Sequence, residues 1–407
     1  MQKKIINQYY LFSCLFHAAG LSLISAVYTT FLLENGLSLF EVNLTNTCFF
    51  LTIFLCEIPT GAFADIFGRK FSFVVACGLM SVSMFAYGSA HTLGGFILAE
   101  VIGGIAMTFQ SGAFQAWLVD SLKHYDYEEG LTAVFARNNL ISRIAGGIGA
   151  IVGSYLAVMN QALPWFTGGV VLIITTGLAG VMMKEEYFER QRFSFKKGLL
   201  SMKETAVTSI RYGLTDKSVR FILITTAIQI FSVQALNMYW QPFFGNLGLS
   251  PVYFGYLFAA MIGSVALGAY ILTKIDSKGR EKNWLLRSQI GVSLAVLISA
   301  LTPYVMPAAP HSNGLLIAGI FFLIHELLRG FWNPLVDGYI QERIPSKERA
   351  TISSFCSIAP HIGGALGLLA SGAIAQFFTI GSAWIVSGLA LTIGALLVSK
   401  NGKASPY

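Results

Sequence analysis

Runs of twenty or more mostly apolar residues recur from one end of this chain to the other. About twelve can be read, over 9–33, 41–63, 71–91, 94–120, 131–159, 164–183, 219–244, 252–274, 284–305, 314–339, 350–378 and 380–398. Runs of that length cross about 30 Å of hydrocarbon as helices. Each is too long for a barrel strand and lacks period-two alternation, which leaves the helix, whose backbone bonds are satisfied within the segment. Composition agrees: 55% of the 407 residues are hydrophobic and 12% charged, with a mean hydropathy of +0.65, too little polarity to cover a water-soluble fold. The first run exceeds the apolar region of a signal peptide and no small-residue cleavage site follows it, so it reads as a span.

Basic residues orient the spans. Outside the apolar runs, Lys and Arg occur at Lys3 and Lys4, after even-numbered runs, and at Lys400 and Lys403, whereas odd-numbered connections such as "SAHTLGG" and "GNLGLSP" contain none. The positive-inside rule then puts both termini in the cytoplasm. The net charge of +7 is read as this topology signal and not as nucleic-acid binding. Cys14, Cys48, Cys56, Cys77 and Cys356 lie inside apolar runs without paired spacing, so neither a disulfide framework nor a metal site is expected.

The longest polar interval divides the runs six and six. The expected organisation is an N-terminal bundle over 1–183, a central cytoplasmic loop over 184–218 and a C-terminal bundle over 219–407. A shift of 217 positions superposes Phe114 on Phe331, Asp120 on Asp337, Gly146 and Gly147 on Gly363 and Gly364, and Ser154 on Ser371. A shift of 211 superposes Asp65, Gly68 and Arg69 on Asp276, Gly279 and Arg280. Six spans return the chain to its starting side, so the halves are predicted to be parallel repeats about an axis along the membrane normal.

The loop "GAFADIFGRK", preceded by "EIPT", together with "SGAFQAWLVD" and "PSKERA", resembles the signature of the major facilitator superfamily. That resemblance implies an all-α membrane fold of twelve transmembrane helices in two parallel six-helix repeats, and a secondary transporter in place of an enzyme. It also implies a conformational latch, with Asp65 held at the start of the eleventh helix, Arg69 pairing with Asp120, and Gly61 and Gly68 shaping the loop; a topology determinant is the simpler alternative for these charges. Helices one, four, seven and ten are then expected to line a central cavity between the halves.

Ionisable residues inside spans are costly and usually functional. Arg143, Glu326, Arg329 and His361 fall near mid-membrane by helical rise. "HELLR", His325 to Arg329, differs from a zinc-protease motif because its fifth residue is an arginine, which cannot ligate metal. Glu326 and Arg329 are three apart and can pair, and His325, Arg329 and Trp332 form a stripe at helical spacing. The substrate-binding candidates are Arg143, Arg329, Gln234, Asn237, Trp240, Tyr28 and Trp332, and the candidates for proton exchange are Glu326, Glu100 and His361. Glu100 stands where the superfamily's proton-coupled drug exporters usually carry an arginine, and the fifth helix lacks their Gly-Pro pair.

The reading taken is a proton-coupled exporter of a drug or metabolite. The alternatives are a proton-coupled importer of a small organic nutrient, anionic ones included, and a transporter-like sensor. The expected partners are a small-molecule substrate, protons and the lipid bilayer, with no nucleic acid and no cofactor. The expected state is a monomer in the bacterial cytoplasmic (inner) membrane.

Overall fold

The computed structural model describes residues 1–188, 217–306, 313–343 and 363–400. The inner part of the central interval, the "PSKERA" segment and His361 lie outside these residues. Among the described residues the chain is helical, with no strand. The elements are α1 (Gln2–Ser13), a π-helical stretch (Cys14–Leu21), α2 (Ser22–Ser25), α3 (Tyr28–Glu34), α4 (Leu39–Phe67), α5 (Arg69–Ser89), α6 (Leu93–Ser111), α7 (Ala113–His124), α8 (Leu131–Met159) and α9 (Leu163–Met182). After the central interval come α10 (Lys217–Asn246), α11 (Phe254–Leu272), α12 (Glu281–Val305), α13 (Asn313–Arg329), α14 (Trp332–Arg343), α15 (Gly363–Phe377) and α16 (Ile380–Lys400). Among the described residues, ten helices are long and apolar enough to cross a membrane, counting α6 with α7 and α13 with α14 as single spans. The pair Gln2–Ser25 and Tyr28–Glu34, bent by 47°, makes an eleventh, and α15 is a shorter apolar helix.

Helix ends follow local chemistry, and they reveal the repeat. Gly36 and Gly248 have φ of 87° and 92°. In each turn the glycine N–H bonds back to the carbonyl three residues earlier (Leu33, Gly245), and the next residue bonds to the carbonyl five residues earlier (Leu37 to Leu32, Leu249 to Phe244). This is the Schellman arrangement, which closes a helix on a left-handed residue. Both glycines begin "GLS", a correspondence short enough to escape notice in the sequence. The matched Gly68 and Gly279 also have positive φ, 97° and 70°, so glycine is needed at both positions.

The chain divides into two compact units. One comprises Met1–Leu37, Cys48–Leu199 and Pro251–Ala259, the other Ser38–Thr47, Leu200–Ser250 and Ala260–Tyr407. Within the first, the Ser154 hydroxyl donates to the Val252 carbonyl at 3.1 Å. Within the second, Asn43 Nδ2 donates to the Leu368 carbonyl at 2.8 Å and to Ser371 Oγ at 3.0 Å. At one end of the second unit, Val219, Ile222, Leu285, Phe331 and Leu335 form a buried apolar cluster.

Helices approach most closely at glycines. A Cβ on Gly153 of α8 would overlap the Leu23 carbonyl of α2, and one on Gly268 of α11 would overlap the Leu327 carbonyl of α13. Small residues allow such backbone approach in lipid, where hydrophobic burial does not drive helices together. The surface is correspondingly apolar: Leu140, Ile144, Ile148 and Val152 of α8 are all exposed, as a hydrocarbon solvent permits.

Candidate functional site

The second unit contains a polar network among apolar helices. On α13, Glu326 is only 3% exposed, and Arg329, one turn on, donates to it from Nη1 at 2.8 Å. The same Nη1 reaches Asn237 Oδ1 of α10 at 3.3 Å, and Asn237 Nδ2 donates to Gln234 Oε1 at 3.3 Å. Gln234 is buried, and its Nε2 would lie 2.7 Å from a Cβ on Gly364 of α15. A carboxylate, a guanidinium and two amides from two helices are thus joined in series. The side chain of Arg329 remains 26% exposed, so it can take up a second acceptor while its partner stays buried.

The other candidates fall in different surroundings. Trp240 of α10 is 2% exposed, while Arg143 is exposed on α8. Trp332 packs against the buried cluster of the second unit. The stripe His325, Arg329 and Trp332 crosses a turn at Gly330, since α13 ends at Arg329 and α14 begins at Trp332. A Cβ on Gly330 would strike α11, meeting the Val265 carbonyl and lying 2.9 Å from Ala269 N, so the turn is tied to close packing. His325 is fully buried, with Nδ1 2.9 Å from the Phe322 carbonyl and no hydrogen-bond partner for Nε2 among the described residues.

In the first unit Glu100 of α6, 6% exposed, accepts hydrogen bonds from the hydroxyls of Tyr28 on α3 and Tyr87 on α5, the latter at 2.7 Å. Tyr87 stacks on Trp165 of α9 with ring centroids 4.1 Å apart. Spacing rules single out Glu100 and Tyr28, but Tyr87 and Trp165 are drawn in by packing and carry no sequence signal of their own.

The charged end of this unit holds the loop residues. Arg69 Nη1 lies 2.5 Å from Asp120 Oδ2, both about 29% exposed. Asp65 and Gly61 are exposed. The N-terminus of α5 is held by a residue the sequence reading omitted: Glu185 accepts from the backbone N–H of Arg69 at 2.8 Å and of Lys70 at 3.1 Å. A carboxylate there satisfies free N–H groups and faces the positive end of the helix dipole. Its signal was the pair of glutamates in "KEEY", directly after the sixth apolar run. The following residue, Glu186, accepts from the Tyr125 hydroxyl at 2.8 Å, and that bond holds its carboxyl below the usual range.

A family model described as Major Facilitator Superfamily matches residues 10–368. The chain belongs to the Major Facilitator Superfamily. It is a multi-pass membrane transporter. A Bacillus subtilis (strain 168) protein named as the uncharacterized MFS-type transporter YxaM is 23% identical over 396 residues, 96% of this chain and 94% of that one. Multidrug resistance protein 1 of the same strain is 26% identical over 192 residues, 46% of this superfamily member and 47% of its own length. Among solved structures, the nucleoside transporter NupG superposes with a TM-score of 0.76 at 13% identity, covering 99% of this chain and 99% of that one. A D-xylose-proton symporter gives 0.70 at 14% identity, covering 98% and 97%. At these identities the solved structures share the superfamily fold alone.

Proposed function

We propose that this transporter is a proton-coupled secondary carrier that exports a drug or metabolite. In this reading each bent or short apolar helix counts as a span, giving twelve, with both termini on the cytoplasmic face of a bacterial inner membrane. The halves are 1–183 and 219–407, joined by 184–218. The observation that carries the reading is the buried Glu326–Arg329 pair continued into Asn237 and Gln234. A substrate bearing a carbonyl or anionic group draws Arg329 toward itself through the guanidinium's free donors. Glu326 is then left without its countercharge in a low-dielectric interior, a state that favours taking up a proton. Proton and substrate binding then favour one another through one arginine; this linkage carries the proton-coupled part of the reading and, taken alone, moves both the same way, as the import alternative requires. Export is favoured by the stretch similar to a multidrug resistance protein. The alternative, import of a small organic solute, is supported by the D-xylose-proton symporter and the nucleoside transporter among the proteins of like fold.

The test is transport in sealed vesicles of both orientations made from cells expressing the chain. Export predicts solute accumulation in inside-out vesicles with an acidified lumen. Accumulation confined to right-side-out vesicles with an acidic exterior reverses the direction, and none in either supports the sensor alternative. The same vesicles test the latch assigned to Asp65, Arg69, Asp120, Gly61 and Gly68. Asp65→Asn removes an exposed charge, so folded protein stays near wild type while transport falls several-fold; full-rate transport reduces the loop to a topology determinant.

A further inference from the structure

Glu100 has no part in the Glu326 network, and its surroundings differ in kind. It sits 6% exposed among apolar helices, yet none of the ion pairs among the described residues includes it. What faces it is aromatic and phenolic. Tyr28 and Tyr87 both donate to Oε1, and their hydroxyls lie 3.1 Å from each other. From α4, Cys48 is close enough to interact with it electrostatically. From α9, Trp165 closes the cluster with its ring 4.1 Å from Tyr87 and 6.0 Å from Tyr28; its indole N–H is buried without an acceptor among the described residues. Among the described residues, the titratable groups facing Glu100 are Tyr28, Tyr87 and Cys48, none of them cationic at neutral pH. Trp165 and Phe96 are both buried and pack on Tyr87, so the phenol that holds the carboxylate is itself enclosed by aromatic rings.

Tyr28 is also the first residue of α3, directly after the break in the first span. Up to that point the span is irregular: the π-helical stretch ends at Leu21, α2 has four residues, and Val27 leaves the helical region with φ −134° and ψ 0°. The two arms meet at 47°. The first residue beyond the hinge is thus fastened by its hydroxyl to α6 and α5.

We propose that Glu100 is a proton-binding site whose charge sets the bend of the first span through Tyr28 and Tyr87. The ionised carboxylate accepts two charge-assisted hydrogen bonds, which are shorter and about twice as strong as neutral ones, and these hold α3 against α5 and α6. Added to the carboxylate, a proton removes the charge and turns one oxygen into a donor. Two phenols and one carboxylic acid must then share fewer strong acceptor positions, and the tie on Tyr28 loosens. The bend is tightest at high pH and relaxes as Glu100 protonates. The use of this device, as a second coupling element, rests on the proton-driven reading above, but titration and bending are measured without transport.

The experiment uses the full chain in lipid nanodiscs with no solute. Infrared difference spectra between high and low pH read carboxyl protonation, and spin labels at Glu34 and Met159, both exposed, read the position of α3. In the wild type, acidification produces a protonated-carboxyl band and shifts the label distance. Glu100→Gln loses that band and shows the acid distance at every pH, whereas Tyr28→Phe keeps the band at a shifted frequency and also shows the acid distance. Identical acid-induced spectra in wild type and Glu100→Gln overturn the site. A wild-type distance that does not respond to pH overturns the hinge, and needs no variant to fold. Failure of the transport reading, with no proton movement in vesicles, leaves both readouts free to succeed.

Discussion

Glu326→Gln is expected to fold, to bind and exchange substrate, and to lose accumulation driven by a pH gradient. The glutamine carbonyl still accepts from Arg329 Nη1, which now lies 2.8 Å from Glu326 Oε1, so the connection to Asn237 and Gln234 survives. The position can no longer alternate between a charged and a neutral form. Concentrative uptake should fall to the level of passive exchange, a loss of up to about tenfold per coupled proton when the imposed gradient is one pH unit, since each unit corresponds to roughly 1.4 kcal/mol of driving force per proton. Arg329→Ala behaves differently. It leaves a carboxylate at 3% exposure with no countercharge, and removing one partner of a buried pair costs about 3–5 kcal/mol. Folded protein should drop sharply in that variant, with rescue by the double change Glu326→Gln, Arg329→Ala. If Glu326→Gln accumulates solute at the wild-type rate, the coupling role fails; if it misfolds as badly as Arg329→Ala, the pair is structural only.

The second large effect is steric. Gly153 and Gly268 each face the backbone carbonyl of another helix at a distance that leaves no room for a methyl group, at Leu23 and Leu327. The obstacle is backbone, which cannot rotate away, so alanine forces the helices apart. Overpacking of this kind costs about 1–3 kcal/mol where side chains can adjust, and more is expected here. Gly177 and Gly319 have nothing within 4 Å of the position a Cβ would take, so alanine at either should leave stability unchanged or slightly raised. Thermal unfolding of the purified variants in one detergent separates the groups. Gly153→Ala or Gly268→Ala melting with the wild type would mean that these contacts do not hold the helices together.

The spans were legible because hydrocarbon admits few backbone solutions, and a run of twenty apolar residues states one of them directly. The repeat could be read at Gly68 and Gly279 because a left-handed backbone narrows the choice of residue there. The same constraint acts at Gly36 and Gly248, yet "GLS" is too short a string to stand out before the turns are seen. Glu326 and Arg329 were readable as a pair because one helical turn fixes their proximity. Their link to Asn237 was not, since it depends on how α10 packs on α13. Trp332 shows the converse limit: periodicity assumes an unbroken helix, and a turn at Gly330 separates it from Arg329. The tyrosines around Glu100 come from two further helices, and no spacing in one sequence encodes such a convergence. Glu185 escaped because a carboxylate just past a span looks like loop polarity until a helix N-terminus is found beside it.

Substrate-evoked proton movement is the most direct test of the central claim. Purified protein is reconstituted with a pH-sensitive dye in the lumen and challenged with a panel of organic solutes, with no gradient imposed at the start. A proton-coupled carrier predicts that at least one solute changes luminal pH as it moves, and that Glu326→Gln abolishes the change while still exchanging labelled solute. A solute transported by the wild type with no accompanying change in luminal pH would contradict it.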